Sequence, residues 1–364
     1  MMTYGHGGDI YSYSGDRVLL DFSSNINPLG LPPAVEKALQ VSAGACTVYP
    51  DPHCRAVSEK IGEYENVPSG SILCGNGAAD LIYRIAYGLK PKKALLFAPT
   101  FSEYEQAVRQ SGGAVYYYGL RDENEFVPQR DFLRMLDSTQ PDIVFLCNPN
   151  NPTGKTVAKE LMTETAVWCQ SNNAVLVIDE CFLDFVRNGK ALSMIGETEK
   201  NPNIIILKAF TKFFAMPGLR FGYLVCGSEE LRKKIWKAGQ PWSVSGVAQL
   251  CGAAALSDKT YIEQTKKLIP RFRENLQTEL EKLPLRVYSG AANYILFRTS
   301  VPQLDQKTAV RDVLIRNCAN YHGLCEGYYR VAVKSSEDNR KLIQTMQAIF
   351  TESCAGSIDA IQFE

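Results

Sequence analysis

The sequence predicts an α/β fold in which a large domain, built on a mostly parallel seven-stranded sheet, precedes a smaller α+β C-terminal domain. Three observations predict it. Short, continuously apolar segments alternate with helical patterns as far as Cys226, and long helical patterns begin near Glu229. At 364 residues and 45% hydrophobic content, the chain is also long and apolar enough to bury a large core.

The strands of the large sheet are predicted from short apolar runs. They are Ile72–Cys74, Ala94–Ala98, Ala114–Tyr118, Ile143–Cys147, Ala174–Ile178, Ile204–Leu207 and Phe221–Cys226. Helical patterns lie between several of them, at Ala78–Leu89, Glu103–Ser111, Gln129–Leu136 and Ala158–Ser171. Because the strands are apolar along their whole length and alternate with helices, we expect a mostly parallel sheet covered on both faces.

The segments on either side of this sheet differ from it in composition. Residues 1–44 are rich in Gly, Asn, Ser and Pro, with a short helical pattern after Pro32 and Pro33. The C-terminal part has helical patterns over Thr260–Leu283 and Glu337–Phe350 and strands near Tyr294–Phe297 and Tyr329–Val333. We therefore predict an N-terminal segment that joins the small domain (residues 1–44), a large domain (45–240) and a small C-terminal domain (241–364).

Charge and cysteine usage exclude several classes of protein. Lys+Arg and Asp+Glu both number 39, so no net charge attracts the chain to nucleic acid or an anionic membrane. The eleven cysteines form no CxxC pair and there are three histidines, which favours reduced, packed thiols over a disulfide framework or a metal site. The first residues lack the basic start and apolar core of a signal peptide, and no apolar run could span a bilayer. We expect a cytoplasmic protein without a metal ion.

The segment Ile204–Val225 has an unusual composition for two buried strands and their connection. Lys208, Lys212 and Arg220 lie between or beside the two apolar runs. Charges so close to a buried sheet need partners, and a ligand with acidic groups would provide them. A lysine enclosed by apolar residues also has a lowered pKa, which makes its amine nucleophilic. Taken alone, the segment is equally compatible with a surface loop of solvated cations.

Other unusual residues follow the ends of the predicted strands, where ligands bind in open α/β sheets. Gly75–Asp80 places glycines and free backbone N–H groups at a helix start, which suits a phosphate, although an ordinary helix entry explains it as well. Pro99–Tyr104 offers aromatic faces for stacking or for the core. Asn148–Lys155 is a rigid turn with three amide side chains. Asp179 places a carboxylate where its predicted strand leaves the core, and an Asp at such a position can instead cap a helix.

One ligand, pyridoxal 5′-phosphate, accounts for the whole set. Its aldehyde needs a lysine and its ring nitrogen needs an acid, for which Lys212 and Asp179 are the candidates. Phe101 is the candidate to stack on the ring face, and Asn151 is the candidate donor to the phenolate oxygen. The phosphate needs a helix start with an arginine, and the candidates are Gly77, Ala78 and Ala79 with Arg220.

The sequence resembles the fold-type I pyridoxal-phosphate enzymes of the class I/II aminotransferase superfamily. NPNNPTG, the Asp of VIDE and TKFFAMPGLRFGY match that superfamily in order and spacing, across nearly the whole chain. The resemblance implies that Lys212, rather than Lys208, carries the cofactor, with Thr211 beside it. It further implies that Tyr49 reaches the cofactor phosphate of a second subunit, hence a homodimer with shared active sites, and that Arg330 binds the substrate α-carboxylate.

Two positions depart from the superfamily pattern. Ala209 stands where a Ser or Thr usually contacts the cofactor phosphate, three residues before the lysine. Phe182 stands where a Tyr usually bonds to the phenolate oxygen, three residues after the acid. A bound cofactor would therefore hold fewer hydrogen bonds, but the lysine, the acid and the arginine are all present.

Within the superfamily, the substrate-end segments are most similar to the threonine-phosphate decarboxylases, relatives of the histidinol-phosphate aminotransferases. The segments are HGGDI, DFSSNINPLG, DECFLDF and IRNCANYHGLCEGYYRVAV. The similarity implies that His6, Gly7, Asn25, Asn151 and Arg316 contact the substrate, with His6 and Arg316 at its phosphate. A phosphorylated amino acid has two anionic ends, so two cationic clamps, one of them Arg330, are chemically reasonable.

The expected reaction is the decarboxylation of L-threonine O-3-phosphate to (R)-1-amino-2-propanol O-2-phosphate, the linker of the cobalamin nucleotide loop. The residues alone leave three alternatives open. They are a histidinol-phosphate-type aminotransferase, an L-serine O-phosphate decarboxylase, and a non-catalytic regulator that binds pyridoxal phosphate. The same lysine and acid serve decarboxylation and transamination, because the outcome depends on which Cα bond stands perpendicular to the cofactor ring.

Overall fold

A seven-stranded sheet forms the centre of the larger part of the molecule. The computed structural model describes residues 5–13 and 19–361, so parts of the predicted N-terminal segment, residues 1–4 and 14–18, lie outside it. The strands are β2 (Ile72–Gly75), β3 (Lys93–Ala98), β4 (Ala114–Gly119), β5 (Ile143–Cys147), β6 (Val175–Asp179), β7 (Ile204–Ala209) and β8 (Gly222–Cys226). Their order is β2-β8-β7-β6-β5-β3-β4, and only β8 runs antiparallel to its neighbours in this sheet.

Helices cover both faces of this sheet. Those associated with the large part are α2 (Arg55–Glu65), α3 (Gly77–Leu89), α4 (Glu103–Gln110), α5 (Phe132–Thr139), α6 (Lys159–Ser171), α7 (Gly189–Leu192), α8 (Phe210–Phe213), α9 (Glu229–Lys237) and α10 (Gly246–Ser257). Strands β5 and β6 are buried at every residue, as expected where both faces are covered. The carboxyl ends of β3, β5, β6 and β7 therefore meet at one edge.

Smaller sheets lie in the C-terminal part. An antiparallel sheet in the order β12-β13-β10-β9 contains β9 (Arg286–Tyr288), β10 (Tyr294–Arg298), β12 (Arg316–Asn317) and β13 (Tyr328–Ala332). A second pair joins β1 (Leu20–Asp21) in parallel to β11 (Val313–Leu314), which ties the N-terminal segment to the C-terminal part. The accompanying helices are α1 (Pro33–Gln40), α11 (Lys259–Leu280), α12 (Leu304–Ala309) and α13 (Ser336–Ile361). The boundaries of the predicted domains remain predictions.

One expectation about the sheet was wrong. The predicted strand ends at Leu207, before Lys208, but β7 continues to Ala209 and Lys208 pairs with Tyr223 of β8. The strand can include a lysine because buried carboxylates surround the ammonium. Lys208 Nζ lies 3.4 Å from Asp184 Oδ2, 3.6 Å from Glu65 Oε1 and 3.8 Å from Glu180 Oε2.

Ten cysteine side chains are described, and all ten are unpaired; eight of them are buried. This fits the expected use of cysteine as a packing residue. None of the helices within residues 5–13 and 19–361 has both the length and the apolar character that a bilayer crossing requires. The same residues contain no group of three or more His, Cys, Asp or Glu arranged to hold a metal ion.

Candidate active site

A cleft of about 490 Å³ opens at the carboxyl edge of the large sheet. The sequence-predicted residues that line it are His6, Gly7, Asn25, Ala78, Ala79, Phe101, Asn151, Asp179, Thr211, Lys212, Arg220 and Arg330. They come from the N-terminal segment, from the end of β6, from the segments that follow β2, β3, β5 and β7, and from β13. Twelve of the fifteen predicted residues are thus brought together by the fold.

Lys212 lies in the short helix α8, directly after β7, and its side chain faces the cleft. Enclosure by the cleft walls, reinforced by the positive charges of Arg330 and Arg220, lowers the pKa of its amine to about 8. The ring of Phe182 lies 5.9 Å from Nζ. A lysine in this setting is a far better nucleophile at neutral pH than an ordinary surface lysine.

Asp179 ends β6 and is buried at the floor of the cleft. Its Oδ2 accepts a hydrogen bond of 2.6 Å from the Tyr104 hydroxyl, and its Oδ1 accepts one of 3.0 Å from the Cys181 amide. Burial and the nearby Asp179 charge raise the pKa of Tyr104, so the phenol stays protonated and keeps donating. The carboxylate is therefore held in one orientation.

The turn between β2 and α3 forms a potential anion site. Gly77 has a φ of +85°, and a Cβ there would lie 2.9 Å from Arg220 Nη2. Only glycine leaves room for the guanidinium beside the first N–H groups of α3, followed by Ala78 and Ala79. A helix N-terminus next to an arginine is a favourable arrangement for a phosphate.

Arg330 occupies the opposite wall and is held by three hydrogen-bond acceptors. Its Nη2 donates to the Ser23 carbonyl at 2.9 Å, and its Nη1 donates to Asn151 Oδ1 and, at 3.4 Å, to the Tyr321 hydroxyl. Its Nε is buried without a hydrogen-bond partner among the described residues, as is Asn25 Oδ1. Both atoms are available to a polar ligand, since buried polar groups normally have partners.

The N-terminal segment crosses the mouth of the cleft. The Gly8 amide donates to Ser23 Oγ at 2.8 Å, and a Cβ at Gly7 would come within 2.2 Å of the Ser23 carbonyl. His6 Nε2 lies 2.8 Å from Glu103 Oε1. Glycine at position 7 therefore allows the segment to lie close enough to Ser23 for His6 to reach the cleft.

Three predicted residues do not line the cleft. Gly77 lies just behind it, where it shapes the turn beside Arg220. Arg316 lies one layer outside, where it donates to the Gly5 carbonyl and to Asn320 Oδ1 and stacks on Tyr321 at 5.4 Å. Tyr49 is 81% exposed and packs on Trp242 with ring centroids 4.7 Å apart.

Both departures from the superfamily pattern, Ala209 and Phe182, do line the cleft. Phe182 packs edge-on against Tyr294 with ring centroids 5.0 Å apart, and the Tyr294 hydroxyl donates to the Asn150 carbonyl. The Tyr294 hydroxyl therefore already has a partner within the protein. At position 182, where the superfamily usually has a tyrosine hydroxyl as donor, Phe182 presents an apolar ring to the cleft.

Seven cleft residues were not predicted. They are Ser23, Ser24, Glu103, Tyr104, Cys147, Cys181 and Tyr321. All of them lie in or beside segments that the sequence argument had singled out, such as PTFSEY and DFSSN. The segments could therefore be identified from the sequence. Which side chains of a segment face the cleft depends on the direction in which its loop turns, and a single sequence does not show that.

This fold and site define a class of protein. Residues 17–346 match the Aminotransferase class I and II family, and the chain belongs to that family. Among its relatives, the threonine-phosphate decarboxylase of Salmonella typhimurium is 37% identical over 355 residues, which cover 95% of this chain and 96% of that protein.

Solved structures have the same fold. The histidinol-phosphate aminotransferase from Clostridium acetobutylicum has a TM-score of 0.86 at 30% identity, covering 92% of this chain and all of the other. The L-threonine-O-3-phosphate decarboxylase from Porphyromonas gingivalis has a TM-score of 0.81 at 22% identity, covering 91% and 99% of the two chains, and supports the fold alone. The predicted fold, a mostly parallel seven-stranded sheet with a smaller α+β part, is confirmed, and so is the resemblance.

Proposed function

We propose that this chain is a pyridoxal-phosphate-dependent decarboxylase that converts L-threonine O-3-phosphate to (R)-1-amino-2-propanol O-2-phosphate for cobalamin synthesis. The observation that carries the proposal is the cleft itself. An amine with a lowered pKa, Lys212, shares the cleft with a fixed carboxylate, Asp179, and a buried guanidinium, Arg330, and His6 reaches the same cleft from the N-terminal segment. The similarity to the Salmonella typhimurium decarboxylase supports the substrate.

The residues of the cleft fit the cofactor. The missing Cβ at Gly77 leaves an open cradle of backbone N–H groups beside Arg220, which suits the cofactor phosphate. Lys212 offers an amine for the aldehyde, and Thr211 lies next to it. Phe101 would pack against the ring face and Asn151, whose Oδ1 is already engaged by Arg330 and Tyr321, would donate its amide to the phenolate oxygen.

Pyridoxal 5′-phosphate, when bound, supplies an electron sink for the pair that remains on Cα after one of its bonds breaks. Asp179 would hold a proton on the ring nitrogen, since Tyr104 and the Cys181 amide keep the carboxylate oriented by hydrogen bonds to its two oxygens. Lys212 Nζ would carry the cofactor at rest. Once the substrate amine has replaced it, the same Nζ would be free to return a proton to Cα after CO₂ has left.

The substrate would be bound at both anionic ends. Arg330, whose Nε has no hydrogen-bond partner among the described residues, would bind the α-carboxylate. His6, Gly7 and Asn25, which belong to the N-terminal segment and line the cleft, would also contact the substrate, with His6 at its phosphate. Arg316, which packs on the Tyr321 ring outside the cleft, would also contact the phosphate end once its side chain rotates away from the Gly5 carbonyl.

The decisive experiment is to incubate the purified holoenzyme with L-threonine O-3-phosphate without any keto acid acceptor. We expect release of CO₂ and formation of the amino-alcohol phosphate. The Lys212→Ala variant should release no CO₂ and should lack the visible absorbance of the lysine-bound cofactor. Retained absorbance in that variant would move the attachment point to Lys208.

The second candidate is an aminotransferase, favoured by the TM-score of 0.86 with the Clostridium acetobutylicum enzyme. In that case the purified enzyme would consume histidinol phosphate together with 2-oxoglutarate and would release no CO₂ from L-threonine O-3-phosphate. Parallel assays with L-serine O-phosphate decide between the two phosphorylated amino acids. The difference between them is one methyl group, which an apolar pocket discriminates by about 10- to 200-fold.

We also propose that the enzyme is a cytoplasmic homodimer. The exposed Tyr49 lies outside the cleft of its own chain. If it contacts the cofactor phosphate, it does so in a second subunit, and each active site is then shared between two chains.

A further inference from the structure

The loop of residues 121–127, which follows β4, contacts both the small antiparallel sheet and the turn that contains Asn151. We call it the bridging loop. Its backbone is closed on itself, because the Phe126 amide donates to the Arg121 carbonyl at 2.8 Å and the Glu125 amide donates to the Asp122 carbonyl at 2.9 Å. None of its residues lines the cleft, so direct contact with a substrate does not explain its side-chain contacts.

Asp122 joins the bridging loop to the small sheet. Its Oδ2 accepts a hydrogen bond of 2.8 Å from the Tyr328 hydroxyl on β13, and its Oδ1 lies 3.1 Å from Arg286 Nη1 on β9. Arg298 Nη1, on β10, lies 3.4 Å from Oδ2. Because β13, β10 and β9 are neighbours in the sheet, one carboxylate contacts three adjacent strands.

The tyrosine contact is the one that fixes the Asp122 carboxylate. Burial opposes its charge, but hydrogen bonds from Tyr328 and Tyr288, followed by the charges of the two arginines, hold the pKa of this carboxyl below its ordinary value. Both arginine side chains are half exposed, so water screens their attraction to the carboxylate. Tyr328 is buried, and its hydrogen bond is therefore shielded from competing water.

Glu125 joins the same loop to the wall of the cleft. Its Oε2 accepts a hydrogen bond of 2.8 Å from Lys155 Nζ, and Lys155 ends the turn that contains Asn151. Between these two ends of the loop, the buried Phe126 ring packs edge-on against Tyr328 with centroids 6.1 Å apart. The bridging loop therefore fixes the distance between the turn with Asn151 and strand β13.

Arg330 lies where the turn and the strand meet. It follows Tyr328 by two positions on β13, so the two side chains leave the same face of the sheet about 7 Å apart along the strand. On the cleft side, Arg330 Nη1 donates to Asn151 Oδ1. A displacement of β13 relative to the turn would therefore move the guanidinium within the cleft.

Resting on the function proposed above, we propose that Asp122 is a positioning residue, which holds β13 through Tyr328 so that Arg330 receives the α-carboxylate of the substrate. Asp122 itself lies outside the cleft and does not contact the substrate. Because the α-carboxylate is the group that leaves as CO₂, its placement decides both how tightly the substrate binds and how the breaking bond is oriented.

The reaction product provides a sharp first test, because it lacks the carboxylate that Arg330 would bind. In the holoenzyme, Asp122→Ala should raise KM for L-threonine O-3-phosphate about tenfold, whereas the inhibition constant of (R)-1-amino-2-propanol O-2-phosphate should change less than twofold. Tyr328→Phe keeps the ring and loses only the hydroxyl, and it should raise the same KM about fivefold. This milder variant keeps the test available if Asp122→Ala does not fold.

A double variant and a matched control separate positioning from general damage. Asp122→Ala combined with Tyr328→Phe should have about the KM of Asp122→Ala alone, because both changes remove the same hydrogen bond. The control is Glu274→Gln. Glu274, on α11 rather than on the small sheet, pairs at the surface with Arg187 at 2.8 Å. Its KM and its product inhibition should equal those of the wild type.

A further measurement needs no substrate. Enclosure, reinforced by the charge of Arg330, lowers the pKa of Lys212. If Arg330 moves away in Asp122→Ala, the pH midpoint of pyridoxal phosphate uptake by the cofactor-free full chain should therefore rise, by roughly half a pH unit. Glu274→Gln should keep the wild-type midpoint.

The outcomes decide the proposal and the function separately. An unchanged KM in a folded Asp122→Ala protein, or equal losses of affinity for substrate and product, would overturn the positioning role. Additive losses in the double variant would overturn the route through Tyr328. If the wild type released no CO₂ from L-threonine O-3-phosphate, the proposed function would fail. An unchanged Lys212 midpoint in Asp122→Ala would then still show that Asp122 does not hold Arg330, and a raised midpoint would show that it does.

Discussion

At the scale of single residues, the environment of Lys212 should make the proposed attachment of the cofactor dependent on pH. With a pKa of about 8, roughly a quarter of the amines are neutral at pH 7.5, against about one in a thousand for an unperturbed lysine. We predict that the cofactor-free protein takes up pyridoxal phosphate at a rate that rises with pH and levels off above pH 8. The rise of visible absorbance after mixing measures this rate.

The same pKa has a consequence for stability with a defined sign. Enclosure lowers the pKa of Lys212 in the folded state below its unfolded value of 10.5, so the charged amine opposes folding of the cofactor-free protein below pH 8. This penalty is relieved as the pH rises from about 8 to 10.5. In Lys212→Met the pH dependence of the free energy of unfolding should lose this rise. An identical dependence in both proteins would contradict the lowered pKa.

Lys208 illustrates the opposite role for a lysine of the same segment. Although burial opposes its charge, the carboxylates of Asp184, Glu65 and Glu180 raise its pKa. Burial in turn raises the pKa of Glu180 to about 7, so this carboxyl is partly protonated at neutral pH.

We predict that Lys208→Met lowers the free energy of unfolding by about 3–5 kcal/mol, because it leaves buried carboxylates without a cation. Chemical denaturation of the holoenzyme measures the loss. Lys341→Met removes an exposed lysine on α13 and should leave stability unchanged within error. The visible absorbance of the cofactor should survive in both variants, which separates Lys208 from the attachment point.

How much of the site was predictable also depends on individual residues. The position of Asp179, Asn151 and Lys212 in the cleft was predictable because each lies at the end of a buried strand or in the segment after it, and such strand ends meet at one edge. The presence of Glu103 in the cleft was not predictable, since its contact with His6 joins residues 97 positions apart and is made by a segment with no regular structure. The buried position of Lys208 was missed because an apolar-run argument ends a strand at its first charge.

At the scale of elements, the turn from β2 to α3 leaves no room for a side chain at position 77. A Cβ at Gly77 would contact Arg220, and Gly77 also has a positive φ. We predict that Gly77→Ala weakens pyridoxal phosphate binding at least tenfold, because either Arg220 or the helix start must move. Equilibrium titration of the cofactor-free protein measures this affinity.

Gly112 provides the matched control for that substitution. Its φ of +91° is similar, but nothing lies within 4 Å of the position its Cβ would occupy. Gly112→Ala should therefore show a comparable backbone penalty of about 1–2 kcal/mol without loss of cofactor affinity. Equal affinity loss in both variants would show that backbone strain, rather than the cradle, is responsible.

Most elements were predictable because their signal is local. All seven strands of the large sheet were predicted within two residues of their ends. The central strands were predictable because strands covered on both faces are apolar throughout, whereas β4, which is half-buried or exposed along its length, was predictable from its run of Val and Tyr. The strands β1, β11 and β12 have two residues each and were missed, because a pair of residues has no periodicity. Their pairing is decided by tertiary contact alone.

At the scale of the whole molecule, the proposed dimer can be tested by mixing two defective chains. Lys212→Ala lacks the attachment amine and Tyr49→Ala lacks the contact proposed to cross to the partner. In a mixed dimer, one site contains both defects and the other contains neither. We predict that mixing, after mild denaturation and refolding, restores activity at cofactor concentrations where neither parent is active.

The result distinguishes shared sites from separate ones. Without sharing, the mixture has no more activity than its parents combined. Lys212→Ala refolded alone and Tyr49→Ala refolded alone serve as controls, and sedimentation confirms that mixed dimers have formed.

The stacking of Tyr49 on Trp242 also gives the protein an intrinsic optical reporter. Trp242 is 47% exposed in the single chain and contacts Tyr49, whose side chain is proposed to enter a second subunit. The other two tryptophans, Trp168 and Trp236, lie on α6 and α9. Indole emission moves to shorter wavelength when water is excluded. Dilution of the enzyme should therefore produce a red shift carried by Trp242, so that subunit exchange can be followed in real time without attaching a dye.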